Sequence, residues 1–511
     1  MSLAVLHSRA FVGTEALRVR VEVHLAAGLP SFTLVGLPDT EVRESRERVR
    51  SALVNSGFEF PSRRITVNLA PADLPKGSGR FDLPIALGIA AASGQLPNAA
   101  LDDWEFAGEL SLSGQLLPCT GGLAMAVAML RDEALPSVAR RRRSLLLPEA
   151  NAAGAARVPG ISVYGAQSLF EASAHLVGHG APLSRHSPSD TNEPATGSGL
   201  LDMRDVRGQS AAKRGLEIAA AGQHNLLMIG PPGSGKSMLA ARLPRILPPM
   251  DPDHALDSAA IASLRGDTAI VLGQRPFRAP HHSCSTAALV GGGKPPKPGE
   301  ITLAHHGVLF MDEILEFDRR SLEALREPLE TGEVHVSRVG HQIRFPARFQ
   351  WVVAHNPCPC GWLGHPVQIC RCTPEQVARY RSRLSGPLLD RIDLGMHVGT
   401  VEHQTMLAAA DGDGSGAIAA RTGAAHALQL RRQGVTNAEL SGDALLHWCQ
   451  PEPAGEALLL TASRRLAWSG RSVHRTLRVA RTIADLSGAQ TITQGHIAEA
   501  IQFRKQLQVS V

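Results

Sequence analysis

Three short apolar runs stand in the middle of the chain, and each gives way to polar residues. Asn225-Leu-Leu-Met-Ile229, Val308-Leu-Phe-Met311 and Phe349-Gln-Trp-Val-Val-Ala354 show no polar alternation and are too short for helices. That is the pattern of strands buried on both faces of a parallel sheet. Met238-Leu-Ala-Ala-Arg-Leu243, after the first run, reads as the start of a helix. From Arg471 to Leu486 the spacing changes: Val473, Leu477, Ala480 and Ala484 fall on one side of an amphipathic helix. Strands followed by helices predict an α/β fold.

Polar stretches divide this pattern. Residues 181–199 are rich in Pro, Ser, Thr and Gly and cannot bury a core, which predicts a flexible connector. Asp-Gly-Asp-Gly-Ser-Gly at 411–416 is a second break, followed by an Ala/Leu/Arg-rich helical region. The expected organisation is an N-terminal domain over 1–180, a linker over 181–199, an α/β core over 200–400 and a helical domain over 401–511. No internal repeat is evident.

Composition narrows the classes. Of 511 residues, 43% are hydrophobic and 19% charged, as in ordinary soluble proteins. Aromatics at 4% argue against an extensive base-stacking platform. The net charge of +5 permits a nucleic-acid partner without requiring one. The N-terminus lacks a basic segment followed by a long apolar run, and no stretch approaches the ~20 apolar residues of a membrane span. The expectation is a cytoplasmic chain with no membrane partner.

The most specific chemical signal is Gly230-Pro231-Pro232-Gly233-Ser234-Gly235-Lys236-Ser237, between the first strand and its helix. This matches the phosphate-binding loop G-x-x-x-x-G-K-[ST]. Glycines let backbone N–H groups converge on a triphosphate, and the helix N-terminus adds positive charge. Lys236 is expected on the β- and γ-phosphates, and Ser237 on Mg²⁺. The second strand ends in Asp312-Glu313, with Asp312 expected on Mg²⁺ and Glu313 on the attacking water. The third leads to Asn356, placed to contact the γ-phosphate or that water. ATP and Mg²⁺ are the implied cofactors.

Cys358-Pro-Cys360 and Cys370-Arg-Cys372 offer four thiolates for a tetrahedral Zn²⁺, with His365 as an alternative ligand. The pairs His281-His282 and His305-His306 read as packing or hydrogen-bonding residues. The block Arg140–Arg143 is either a solvated element end or a phosphate contact.

The order of phosphate loop, Asp-Glu strand, Asn-ended strand and Leu388-Leu-Asp-Arg-Ile-Asp393 resembles an AAA+ module. Arg278-Ala-Pro-His-His282 and Pro298-Gly-Glu-Ile301 resemble its magnesium-chelatase-like branch. Over essentially the whole chain the sequence resembles the ComM/YifB family of competence-associated proteins. The resemblance implies a homo-hexameric ring with nucleotide between subunits. Arg391 would then be a finger on the neighbour's γ-phosphate, Asn356 a first sensor, and Arg471, Arg475 or Arg478 a second sensor contacting ATP. It implies a helicase that drives branch migration while DNA is integrated during natural transformation. Arg275, Arg278, Lys294 and Lys297 are candidate DNA contacts. The alternative is a chelatase-like protein-remodelling ATPase without a DNA substrate.

Residues 106–123 and Ser144-Leu-Leu-Leu-Pro-Glu-Ala-Asn151 resemble the proteolytic domain of Lon-type enzymes, an α+β fold with a Ser–Lys dyad. The serine would fall near Ser78 in Lys76-Gly-Ser-Gly-Arg80. The lysine position after Gly121-Gly122-Leu123 is Ala124, which takes no proton, so this domain is expected to be non-proteolytic. Lys76 is the one substitute base in that stretch.

Overall fold

The computed structural model describes residues 2–37, 39–133, 143–187, 201–266, 270–293, 296–338, 341–402, 404–405 and 412–508. Among them no helix is long and apolar enough to cross a membrane.

The N-terminal part carries two sheets. In the first, β1 (Leu3–Val12), β2 (Glu15–Ala26), β3 (Ser31–Val35) and β4 (Arg64–Ala70) lie in the order β1-β2-β4-β3. Alternation makes this sheet one-sided: Val19, Val21, Val23 and Leu25 of β2 are all buried. Helix α1 (Asp82–Ala92) covers that face, with every residue buried. The second sheet runs β10-β9-β8-β5, from β5 (Trp104–Phe106), β8 (Ser144–Pro148), β9 (Val163–Ala166) and β10 (Arg185–His186), with a small hairpin β6 (Glu109–Leu110) and β7 (Leu116–Leu117). Arg185 and His186, inside the stretch expected to be a connector, pair with Tyr164 and Val163 as an edge strand. Most of that stretch, and Arg140–Arg142, lie outside the described residues; Arg143 reaches His7 at 3.0 Å.

The central sheet has the order β12-β15-β18-β11-β19, from β11 (Leu226–Ile229), β12 (Phe277–Arg278), β15 (Val308–Met311), β18 (Gln350–His355) and β19 (Leu394–His397). All its pairings are parallel. Its three expected strands appear at their expected positions, and their uniform apolarity has a direct cause. Leu226, Met228, Val308, Phe310, Val352 and Ala354 enter one core, while Leu227, Ile229, Leu309, Met311, Trp351 and Val353 enter the other. Both faces are covered, so no position along the strand reaches water.

The first of these cores is closed by α3 (Ser210–Gly222) and by C-terminal helices α7 (Ser415–Gln433), α8 (Gly470–Leu486) and α9 (Gln494–Gln508). The expected apolar stripe of α8 points there: Leu477, Ala480 and Ala484 are buried, with Val473 packed beside them. Two hairpins flank the sheet, β13 (Gly291–Gly292) with β14 (Lys297–Pro298) and β16 (Glu333–Arg338) with β17 (His341–Pro346).

A fourth core joins the N-terminal part to the centre. Helix α2 (Gly122–Glu133) packs on α5 (Pro252–Leu264), burying Leu123, Ala124 and Val127 with Leu256, Ala259 and Ala260. Ser263 accepts at its carbonyl from Gly121 N at 2.9 Å, and its Oγ accepts from Ala124 N at 3.3 Å.

Candidate nucleotide site

The loop 230–235 leaves β11 and enters α4 (Lys236–Ala240). Gly233 and Gly235 take positive φ angles of 75° and 90°, which a side chain disfavours. At Gly230 a Cβ would lie 2.2 Å from the Val398 carbonyl oxygen, so only glycine lets the loop pass β19. Lys236 is buried, and its Nζ donates to the carbonyls of Gly230 at 2.8 Å and Pro231 at 3.0 Å, and to Asn356 Oδ1 at 3.1 Å. Burial weakens its hold on its proton, opposed by the charges of Asp312 and Glu313. These neutral oxygens hold the ammonium where phosphate oxygens would hold it more strongly.

Asp312 and Glu313 follow β15 on the same side of the sheet. Ser237 Oγ donates to Asp312 Oδ2 at 2.5 Å, so the two atoms already converge as ligands of one cation would. Asp312 Oδ1 also accepts from Glu313 N at 2.9 Å. Glu313 adopts a left-handed backbone (φ 49°, ψ 45°) and exposes its carboxylate beside this pair. The structure therefore brings Lys236, Ser237, Asp312, Glu313 and Asn356 together at the carboxyl ends of three parallel strands, where open α/β sheets bind ligands.

Two residues join this site that the sequence reading did not assign to it. Gln209 Nε2 donates to Ser234 O at 2.7 Å and Gly399 O at 3.4 Å, fastening the loop from the α3 side. His282 Nδ1 lies 3.6 Å from Glu313 Oε2. No local pattern marks Gln209; His282 ends the Arg278-Ala-Pro-His-His282 stretch, and the parallel pairing of β12 with β15 brings it to the acid.

Two of the candidate arginines, Arg391 and Arg475, lie elsewhere. Arg391 precedes β19, and in register Leu394 pairs with Leu226 while His397 pairs with Ile229. Arg391 is thus at the amino end of the sheet, about 13 Å of strand away from this chain's own phosphate loop. Its Nη2 meets Glu330 Oε2 at 2.6 Å. Arg475 pairs with Asp393 and donates to the Arg391 carbonyl. Arg504, missed by the sequence reading, donates to Ile392 O at 2.6 Å. Arg475 therefore does not overhang the local nucleotide site as a lid residue would. Arg478, one turn further along the same helix, has a buried Nε without a partner in the described residues, and Arg471 is exposed.

Two of the four candidate DNA contacts already make internal contacts. Arg275 donates to the carbonyls of Pro248, His306 and Pro249, and burial pulls its guanidinium down to about 10. Arg278 grips Glu300 with both arms at 2.7 and 3.0 Å. Both cations serve internal contacts. Lys297 is exposed on β14, and Lys294 lies outside the described residues.

The four cysteines converge as their spacing suggested. Their Sγ atoms all lie within 4.8 Å of one another. His365 Nδ1 instead accepts from Val367 N and Gln368 N, which makes it a turn residue. Near the N-terminus, Ser78 Oγ accepts from Arg80 Nε at 2.8 Å, and Lys76 is fully buried with its Nζ on the Pro71 carbonyl. Neither cation is placed to take the serine's proton.

A phosphate loop facing an Asp-Glu strand end on a parallel sheet defines a P-loop nucleotide-binding protein. Comparison narrows the class. Profiles described as magnesium chelatase, subunit ChlI, match residues 202–406; subunit ChlI of Mg-chelatase, 21–139; and the ChlI C-terminal part, 412–504. The chain is 46% identical to the competence protein ComM of Haemophilus influenzae, covering 99% of this chain and 98% of that one. It is also 46% identical to the uncharacterized protein YifB of Salmonella typhimurium, over 99% and 97%. A more distant relative is the magnesium-chelatase 38 kDa subunit of Cereibacter sphaeroides, 29% identical over 30% of this chain. The chain belongs to the ComM/YifB family of magnesium-chelatase-like AAA+ proteins.

Proposed function

We propose that the chain is an ATP-hydrolysing ring motor that moves DNA, promoting branch migration as DNA is integrated during natural transformation. One observation carries the ATPase part: the Lys236 ammonium, the Ser237–Asp312 pair and the Glu313 carboxylate converge with Asn356 at the carboxyl ends of the strands. The loop amides and Lys236 bind the triphosphate, Ser237 and Asp312 hold Mg²⁺, and Glu313 orients the attacking water. Mg²⁺, when bound, neutralises charge on the transferred phosphoryl group. Asn356 senses the γ-phosphate, because its Oδ1 already shares Lys236 with the loop.

Arg391 and Arg475 act on the nucleotide of the next copy in a homo-hexamer. Their position at the far end of the sheet supports this reading, since neither reaches its own loop. The N-terminal part is a Lon-like domain without peptidase activity, joined by residues 181–199 to an ATPase core ending near 400 and a helical domain beyond. Ala124, buried against Ser263 at the α2–α5 contact, supports the loss of a dyad. The four cysteines take Zn²⁺.

The name of the Haemophilus relative supports the competence role. The chelatase-like alternative, remodelling without DNA, draws support from the internal use of Arg275 and Arg278. One experiment separates them. ATP turnover of the full chain is measured with and without single-stranded and branched DNA, alongside strand exchange on a branched substrate. Stimulated turnover and ATP-dependent exchange are expected; turnover indifferent to DNA, with no exchange, rejects the DNA reading.

A further inference from the structure

The cysteine-bearing segment leaves the nucleotide site and then folds back onto it. Asn356, which shares Lys236 with the loop, is followed by Pro357 and Cys358. Arg381, ending α6 (Pro374–Arg381), donates from Nε and Nη2 to the Pro357 carbonyl at 3.4 and 3.3 Å. Between the first two cysteines and the last two the chain turns at Gly361, whose φ is +84°. A Cβ there would lie 2.5 Å from Pro232 Cδ and 2.7 Å from Pro232 Cγ. The turn is therefore pressed flat against a proline of the phosphate loop, with no room for a side chain.

The sulfurs have the geometry of a closed metal site. Cys358 Sγ is 3.4 Å from Cys360 Sγ and 3.6 Å from Cys370 Sγ, and Cys360 and Cys370 are 3.6 Å apart. A tetrahedral zinc with Zn–S bonds of ~2.3 Å places its sulfurs about 3.8 Å apart. Leu363 N donates to Cys358 Sγ at 3.3 Å, the kind of outer contact that orients a thiolate ligand. Apart from the sulfur contacts, the backbone and side-chain hydrogen bonds found within the turn are local, from His365 to Trp362 and from Val367 and Gln368 to His365. Val367 and Ile369 are 82% and 86% exposed. The Gly361 contact and the sulfur cluster both tie this turn to the body.

We infer that the four thiolates hold one Zn²⁺ whose presence shapes the nucleotide pocket, the metal-braced turn forming the outer wall that keeps Pro232 and the phosphate loop in their binding conformation. This rests on reading the loop as an ATP site. Loss of the metal frees Gly361 from Pro232 and loosens the segment after Asn356, so nucleotide affinity falls.

The test uses the full chain. Elemental analysis of purified protein is expected to find one zinc per chain. Cobalt substitution is expected to give the thiolate charge-transfer absorption of a four-sulfur site. Affinity for a fluorescent ATP analogue is then compared in zinc-loaded, chelator-stripped and zinc-restored protein. Stripping is expected to weaken binding about 10-fold, and zinc to restore it.

Gly361→Ala keeps every thiol and makes the same test without removing metal. It is expected to retain zinc and bind the analogue about 10-fold more weakly. Adding Pro232→Ala, which removes the two clashing ring atoms, recovers part of that loss. Folded protein that carries no zinc and takes up none overturns the site. Equal affinity in stripped and loaded protein, or in Gly361→Ala and the parent chain, overturns the coupling. Zinc-loaded parent protein that binds no ATP analogue overturns the ATP reading alone.

Discussion

Two glycine-serine turns, each leading into a helix, come to opposite ends in this molecule. One is Lys76-Gly-Ser-Gly-Arg80 before α1; the other is Gly233-Ser-Gly-Lys236-Ser237 at the start of α4. Both lysines are buried and both donate to main-chain carbonyls. The surroundings differ. Ser78 faces Arg80, a guanidinium stacked 4.2 Å over the Phe11 ring, and the helix that follows is buried along its whole length. Ser237 faces Asp312, with Glu313 exposed beside it. Glycines determine what the backbone permits, but the groups standing opposite decide the chemistry: carboxylates beside Ser237 can share a cation, whereas a guanidinium beside Ser78 accepts no proton.

The largest effects belong to the second turn. Lys236→Ala is expected to abolish measurable ATP turnover, because the buried ammonium proposed to hold the transferred phosphates is lost. Glu313→Gln is expected to cost about 10²–10⁴-fold in turnover while ATP binding persists, since water orientation goes but the cradle stays. Turnover unchanged in both variants removes the site assignment.

Arg391→Ala comes next, with turnover falling about 10³-fold if the guanidinium serves a neighbour's nucleotide. Mixing Arg391→Ala with Lys236→Ala protein is then expected to restore partial turnover, because each supplies what the other lacks. Failure of the mixture to recover any activity counts against sharing between copies.

At the first turn the outcomes are structural. Ala124→Lys restores the residue that a Ser–Lys dyad would need, but at a buried position against Ser263. It is expected to lower unfolding stability by about 3 kcal/mol through burial of an unpaired charge, and to release no peptide from casein. Cleavage of casein by this variant breaks the contrast between the turns.

A pH effect sharpens the comparison from the side of α5. His306 stacks between His254 and His305 at 3.8 Å, and burial with neighbouring cations holds His306 down to about 2 and His305 to about 4. Both are neutral when folded, so below the ordinary imidazole value of about 6.5 the unfolded chain takes up protons that the folded chain refuses. Stability is then full above about pH 6.5 and falls as pH drops towards 4, by up to about 1.4 kcal/mol per unit for each imidazole. His306→Asn, which tolerates the φ of 58° at that position, is expected to flatten the urea midpoint between pH 6.5 and 5. The smallest change is Ser78→Ala. It is expected to cost about 1 kcal/mol of stability, from an acceptor lost to a buried guanidinium, and to leave ATP turnover unchanged.

The sequence by itself determined the elements whose physics is local. Uniform apolar runs specify strands buried on both faces, and the loop glycines specify a phosphate cradle between strand and helix. The acids at 312 and 313 follow a strand end, and four cysteines fall close enough to meet. Tertiary structure decided what those residues face. The order β12-β15-β18-β11-β19 brought His282 to Glu313, fastened Gln209 to the loop and sent Arg391 and Arg475 to the far end of the sheet. It also turned Arg275 and Arg278 inward onto carbonyls and Glu300, and laid Gly361 on Pro232. The physical reason is range. Dihedral preference and hydrophobic periodicity act between residues a few positions apart, whereas the partner of a charge or hydroxyl is fixed by parallel pairing between strands distant along the chain.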